Sequence, residues 1–389
     1  MNFEFTDQQR SIRDAIERIC AEFDDAYWLD RDTDGEFPEA FVKAITDGGW
    51  LGIAMPEAYG GAGLGITETA IMAHTIARSG AGMSGASSVH LNLFGPNPIV
   101  VFGSEEQKQR LLPPLIKGQH RACFGVTEPD AGLNTTRLST RAVRDGDDLV
   151  INGGKVWTTM AHRADWIMLL TRTDPDAPKH RGISFVLVDM KSPGVTVRPI
   201  INMAGGHEFN QVTFDDVRVP RANVVGDEDR GWYVAVTLLD FERSGIDYSA
   251  AARRMLDDIR EFATETKRNG QPLIEIPWVR TLMADRYVDC EVARLMAYNV
   301  AYMQSQDLIP TKEASMSKVF GSETVQRVTD ASLDILGQYG TLGRDDKWAP
   351  LKGRVQEHWM NAFAGTIAAG TSEVQRNIIA GRGLGLPRG

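Results

Sequence analysis

Glu242 sits in the run Leu238-Leu239-Asp240-Phe241-Glu242-Arg243, three residues from Leu239 and Gly245 and four from Leu238 and Ile246. Residues spaced three and four apart share a helix face. Read as one continuous helix, the run puts the carboxylate among apolar side chains, which raise a carboxyl's pKa and suit it to general-base work. Gly245 inside that helix would cost up to about 1 kcal/mol against alanine, and close approach of a ligand would explain its presence. The same pattern also fits a glutamate at the rim of a solvated face, paired with Arg243.

A second set combines a turn and a flat wall. In Val126-Thr127-Glu128-Pro129-Asp130-Ala131-Gly132, the proline stiffens the turn and the glycine permits close backbone approach. About thirty residues on, Trp157-Thr158-Thr159 offers an aromatic face and further hydroxyls. Such residues could hold a flat ring with polar edges. Read alone, they fit equally a strand that ends in a turn, with Trp157 as a core aromatic.

The elements that must carry these residues follow an α, then β, then α order. Thr6 with Gln9 and Ser104 with Gln107 have the spacing of capping boxes. Pro38 and Gly48 bracket a helix over 39–47, and 67–78 reads as another, stopped by Gly80. The middle third breaks into short segments rich in β-formers: 123–127, 138–144, 149–151, 166–172, 183–189 and 211–219. Asp145-Gly146 and Asn152-Gly153-Gly154 are turn signals there. The last third predicts helices over 231–267, 279–306, 311–336 and 372–381.

These residues resemble acyl-CoA dehydrogenases. Val126 to Gly132 resembles the family's first flavin segment and Trp157-Thr158-Thr159 its second. Phe214-Asp215-Asp216-Val217-Arg218-Val219-Pro220 is similar to the end of its β domain. Gly370-Thr371-Ser372-Glu373 with Gln375-Arg376-Asn377 is similar to its C-terminal cofactor loop. The resemblance covers nearly the whole chain. It implies an α+β protein with an N-terminal helical domain (1–118), a middle antiparallel β domain (119–228) and a C-terminal four-helix-bundle domain (229–389).

It also implies FAD as cofactor, held by Phe124, Val126, Thr127, Gly132, Leu133, Trp157, Thr158, Thr159, Arg268, Gln338, Thr371 and Glu373. Thr127 would serve the pyrimidine end and Thr159 the N5 edge. Many members carry the catalytic carboxylate just before Gly-Thr-Ser, where this chain has Ala369. A minority, including isovaleryl-CoA and long-chain dehydrogenases, carry it on the helix that Leu239 to Arg243 resembles. Glu242 is then the base. Arg243, Leu133 and the Ala369 backbone amide are the implied substrate contacts. Two departures stand out. Leu133-Asn134 replaces Ser-Asp after Ala131-Gly132, which removes a hydroxyl, and Asn269 stands where the family has a Phe near its second-subunit arginine.

Composition limits the alternatives. The charged residues leave a net charge of −10, which disfavours a nucleic-acid-binding relative. Three widely spaced cysteines, Cys20, Cys123 and Cys290, fit neither a zinc site nor a disulfide framework, and with no signal peptide the cytoplasm is expected. The uncharged stretch 80–103 holds prolines, asparagines and glycines and is no spanning helix. Met83 and Met203 read as core residues that could instead shape a pocket. The expected activity is α,β-dehydrogenation of an acyl-CoA, with electrons passed to an electron-transfer flavoprotein, in a homotetramer or homodimer. The alternatives are a flavin oxidase or monooxygenase on a non-CoA substrate, and an idle partner subunit of a hetero-oligomer.

Overall fold

The computed structural model describes residues 4–178, 180–242 and 245–387, the last six of the second stretch by backbone alone. In chain order the elements are α1 (Asp7–Ala21), α2 (Asp25–Asp34), α3 (Glu39–Asp47), α4 (Ile66–Arg78), α5 (Gly82–Phe94), α6 (Asn97–Phe102) and α7 (Glu105–Ile116). There follow β1 (Ala122–Gly125), β2 (Arg141–Asp145), β3 (Asp148–Thr159), β4 (Trp166–Arg172), β5 (Ile183–Asp189), β6 (Val195–Ile200) and β7 (Phe209–Pro220). The chain then forms α8 (Gly231–Glu242), α9 (Ile246–Glu265), the short pair β8 (Lys267–Arg268) and β9 (Gln271–Pro272), α10 (Pro277–Ser305), α11 (Thr311–Leu336), α12 (Arg354–Gly365) and α13 (Ser372–Ile378). Both expected capping boxes form: Gln9 N donates to Thr6 Oγ1 at 3.2 Å and Gln107 N to Ser104 Oγ at 3.2 Å, and each glutamine returns the bond.

Two compact units result. One gathers Arg31–Gly65 and Ser87–Glu242; the other gathers Met1–Asp30, Ile66–Ala86 and Arg243–Gly389.

The first unit is built on a seven-stranded curled sheet in which β5 pairs β4 and the remaining strands run β1-β4-β2-β3-β7-β6. Strands β4 and β5 are buried on both faces, and their side chains alternate between them with period two. Met168, Leu170, Phe185 and Leu187 join Leu111, Leu112 and Leu115 of α7 and Val234 of α8 in one core cluster. Ile167, Leu169, Val186 and Val188 join Leu149, Ile151, Val212 and Phe214 in another. Gly231 lets α8 start against β5, because a Cβ there would lie 2.1 Å from Phe185 N.

The sheet is mostly antiparallel, but β1 lies parallel to β4, with Phe124 opposite Met168. Two turn readings divide. Gly146, at φ +62°, makes the expected β2–β3 hairpin. Asn152-Gly153-Gly154, expected as a turn, instead lies within β3, where the register shifts between Ile151 and Gly153. A side chain at Gly153 would strike Thr140 Cα at 2.7 Å, so the glycine serves close strand packing.

In the second unit α9, α10 and α11 pack together, with α12 against α11 as the fourth helix. Met255, Ile259, Val279, Met283, Val328, Ile335 and Val355 are among its core residues. The single helix expected over 231–267 is broken. The α8 helix stops at Glu242, and Gly245, at φ +63°, is the N-cap of α9. A Cβ at Gly245 would meet neighbours only at ordinary contact, 3.6 Å or more. The left-handed backbone at this N-cap is by itself sufficient reason for the glycine.

Candidate active site

The two flavin-like segments are joined in the β unit. Val156 N donates to Thr127 O at 2.9 Å. Next to that bond the β3–β7 register slips. Lys155 pairs Val212 and Thr158 pairs Asn210, so Val156 and Trp157 together face Gln211 alone. Such a bulge re-aims a side chain. Trp157 takes a left-handed φ of +61° and is 56% exposed, its indole edge-on to Phe209 at 6.1 Å. This outward ring excludes the core-aromatic reading. Met203, also read as core, is 64% exposed.

The other residues of the set divide by direction. Thr127 and Thr159 are half-buried, and Phe124 is half-buried against Phe185 with ring centres 6.0 Å apart. A Cβ on Gly132 would meet nothing within 4 Å, and Leu133 is 74% exposed. Thr158 differs. Its side chain is buried, its Oγ1 has no hydrogen-bond partner, and its carbonyl accepts from Asn210 Nδ2 at 3.1 Å. Toward an external ligand it therefore presents backbone.

Beneath this edge lies a pair the sequence reading passed over. Lys155 Nζ is 2.8 Å from Glu128 Oε1 and donates to Val126 O at 3.1 Å. Glu128 also accepts from Ser139 N at 2.6 Å, Ser139 Oγ at 2.7 Å and Thr140 N at 2.9 Å. Burial alone would raise the Glu128 pKa, but the Lys155 ammonium and the Thr140 and Ser139 donors overrule it and hold the carboxyl at about 2. Burial lowers Lys155 toward about 8 while Glu128 pulls it back. With an ionised carboxylate at bonding distance, the charged pair is the state this geometry supports. A lysine inside a strand, between Gly154 and Val156, was the available signal.

In the helical unit, the segment after α12 turns through two successive left-handed residues, Ala369 at φ +52° and Gly370 at φ +84°. Ala369 is exposed, its carbonyl accepts from Gln375 Nε2 at 2.8 Å, and its N–H makes no hydrogen bond among the described residues. Thr371 caps α13, accepting from Val374 N at 3.3 Å. The exposed Glu373 carboxyl is held below the usual range by its own backbone N–H and then by the Thr371 hydroxyl.

Arg268 and Gln338 lie elsewhere on this unit, both exposed. Arg268 sits on the β8–β9 hairpin, whose tip, Asn269-Gly270, has positive φ at both residues, +52° and +83°. Asn-Gly is the preferred pair for that two-residue turn, which accounts for Asn269. The Glu242 backbone closes α8, but its side chain lies outside the described residues, as does all of Arg243. Among the described residues no cluster of His, Cys, Asp and Glu could hold a metal.

Comparison with known proteins places the chain in a family. Models of the acyl-CoA dehydrogenase N-terminal, middle and C-terminal domains match residues 6–119, 123–217 and 229–384. The chain belongs to the acyl-CoA dehydrogenase family. It is 33% identical to the acyl-CoA dehydrogenase FadE29 of Mycobacterium tuberculosis over 396 residues, covering 100% of this chain and 99% of that one. The ChsE4-ChsE5 complex of M. tuberculosis superposes with a TM-score of 0.91 at 33% identity, covering 100% of both chains. The Tcur3481-Tcur3483 steroid ACAD does so with 0.89 at 33%, again over 100% of both.

This acyl-CoA dehydrogenase is thus an oxidoreductase acting on CH–CH bonds, and its family members are flavoproteins. The β-unit edge fits such a group. It offers an outward indole face, two half-exposed threonines and open space above Gly132. Among the described residues no helix is long and apolar enough to cross a membrane.

Proposed function

We propose that the protein is an FAD-dependent dehydrogenase that converts an acyl-CoA thioester to the trans-2-enoyl-CoA and passes the electrons to an electron-transfer flavoprotein. The observation that carries this reading is the β-unit edge, where Val156 N–Thr127 O joins the two cofactor segments beside an outward Trp157. Phe124, Val126, Thr127, Gly132, Leu133, Trp157, Thr159 and the Thr158 backbone would hold the flavin. Arg268, Gln338, Thr371 and Glu373 complete the cofactor set. Bound there, FAD supplies a two-electron acceptor for hydride from the β carbon.

The chain's own part is proton removal and charge stabilisation. Ala369 has no carboxylate, so Glu242 takes the α proton, with Arg243 beside it. The α proton of a thioester is a poor acid, and charge developing on the carbonyl oxygen must be met by donors already in place. The unengaged Ala369 N–H, on a loop fixed by Gln375 and the Thr371 cap, is suited to that task.

Glu242→Gln should keep bound yellow flavin and lose activity by roughly a hundredfold or more, the scale of general-base catalysis. Near-normal turnover in that variant would reassign the base. A panel of acyl-CoA substrates with an artificial electron acceptor defines the acyl group, and the steroid ACAD likeness makes bulky acyl groups the first to try.

A second reading concerns assembly. Along α10, Val288, Val292, Leu295 and Tyr302 are exposed at spacings of four, three and seven, an apolar stripe suited to another helix. We place a subunit contact there, in a homo-oligomer or in a pair of unlike chains as the ChsE4-ChsE5 name suggests. A homogeneous preparation that binds FAD and turns over alone decides for the former. The three cysteines are buried free thiols, which suits the cytoplasm.

A further inference from the structure

We propose that Lys155 and Glu128 act as a positioning clamp that holds Trp157 in its outward, left-handed conformation and so builds the wall on which the flavin rests. The proposal deepens the flavin reading above and depends on it.

Among the described residues, the other hydrogen bond between the first flavin segment and β3 is the main-chain bond from Val156 N to Thr127 O. From Lys155, two residues before Trp157, the ammonium reaches both Val126 O at 3.1 Å and Glu128 Oε1 at 2.8 Å. Glu128 then grips the chain at Ser139 and Thr140. The first flavin segment is thereby tied on one side to β3 and on the other to the lead-in of β2. Lys155 is 0% exposed and Glu128 4%.

Burying a pair of charges is a poor way to stabilise a fold. Desolvation offsets most of the attraction, and apolar residues of similar volume commonly do as well. What a buried pair does supply is a fixed register. This one lies beside the bulge, at the only residue between Gly153 and Thr158 whose side chain is fully buried. A tryptophan at φ +61° is unfavourable on its own and persists only where its surroundings fix it. On one side of Trp157, Lys155 and Val156 are anchored to the turn. On the other, Asn210 Nδ2 holds Thr158 O at 3.1 Å. Between those anchors the bulge has little freedom to flatten, and Trp157 stays turned outward.

The test separates positioning from folding. Lys155→Met alone leaves a lone buried carboxylate and is expected to destabilise the protein. The double variant Lys155→Met/Glu128→Gln removes both charges and keeps the volumes; its amide oxygen can accept from Ser139 N or from Thr140 N, and the other N–H loses its acceptor. When free of flavin it should unfold above Lys155→Met and somewhat below wild type, because one backbone N–H and the Val126 carbonyl lose their partners. It should nonetheless bind FAD at least about tenfold more weakly and show an altered visible circular dichroism for the bound flavin. Acrylamide quenching of Trp157 in the flavin-free protein, read by difference against Trp157→Phe, should change in the double variant.

If the double variant folds and matches wild type in FAD affinity, flavin dichroism and Trp157 quenching, the clamp has no positioning role. If it regains neither fold nor stability over Lys155→Met, the pair is structural and the proposal falls. A wild-type protein that never takes up FAD would overturn the flavin reading instead, and Trp157 quenching would still report on the clamp.

Discussion

Trp157 combines two separable properties, an exposed flat indole face and a left-handed φ of +61°. The sequence names Trp157 as a flat wall. Its left-handed φ comes from the β3–β7 register slip, a pairing between distant residues that no local pattern encodes. Trp157→Gly tests the two aspects separately. Relief of the left-handed strain gains about 1 kcal/mol, while glycine's greater unfolded freedom costs about 0.5–1 kcal/mol. Flavin-free stability in urea should therefore stay within about 1 kcal/mol of wild type, whereas FAD affinity should fall about tenfold. A large loss of flavin-free stability would mean that the indole serves packing instead. Ala369 was legible in the opposite sense, because the missing carboxylate is a fact of sequence. Lys155 and Glu128 were overlooked because neither has a partner close in the chain, and only the strand–turn contact pairs them.

Among elements, long periodic helices and capping boxes were read almost to the residue: 311–336 was expected and α11 is Thr311–Leu336. Breaks inside good helical sequence were missed. Gly245 lies between helix-forming stretches whose apolar spacing runs on without interruption, so periodicity joined α8 to α9. The structure shows a left-handed N-cap in between. The same kind of error, with opposite sign, turned Asn152-Gly153-Gly154 into a turn when it is strand interior. Gly245→Ala distinguishes backbone from packing. The site leaves room for a methyl group, so the cost should be only that of a left-handed alanine, about 1 kcal/mol. The urea midpoint of the helical unit should fall by that equivalent. An unchanged midpoint would mean that the chain can cap α9 in another way.

For the whole molecule, the order of helices, strands and helices followed from composition shifts, while the curl of the sheet did not. The parallel β1–β4 contact joins Ala122–Gly125 to Trp166–Arg172 across the whole β2–β3 hairpin. Long-range placement also creates the buried titrating groups that set the acid limit of the fold. His74 in α4 lies 5.6 Å from the Tyr298 ring and is 9% exposed. Burial and the Arg78, Arg294 and Arg253 guanidiniums push its pKa down to about 4, against a smaller opposing pull from Asp247. A histidine held below its unfolded value near 6.5 stabilises the fold only while neutral. That contribution is whole above pH 6.5 and is lost as the pH falls through about 4, up to about 3 kcal/mol in all. Glu128, held at about 2, begins to lose its contribution only below its usual value of 4.5. The histidine window therefore opens first. Between pH 6.5 and 4.5 the helical unit should weaken while the Lys155–Glu128 clamp stays closed. His74→Phe keeps a ring against Tyr298 and removes the titration. Hydrogen exchange of α4 and α10 peptides should accelerate on acidification in wild type and much less in His74→Phe. Equal acceleration in both proteins would assign the acid sensitivity to other groups.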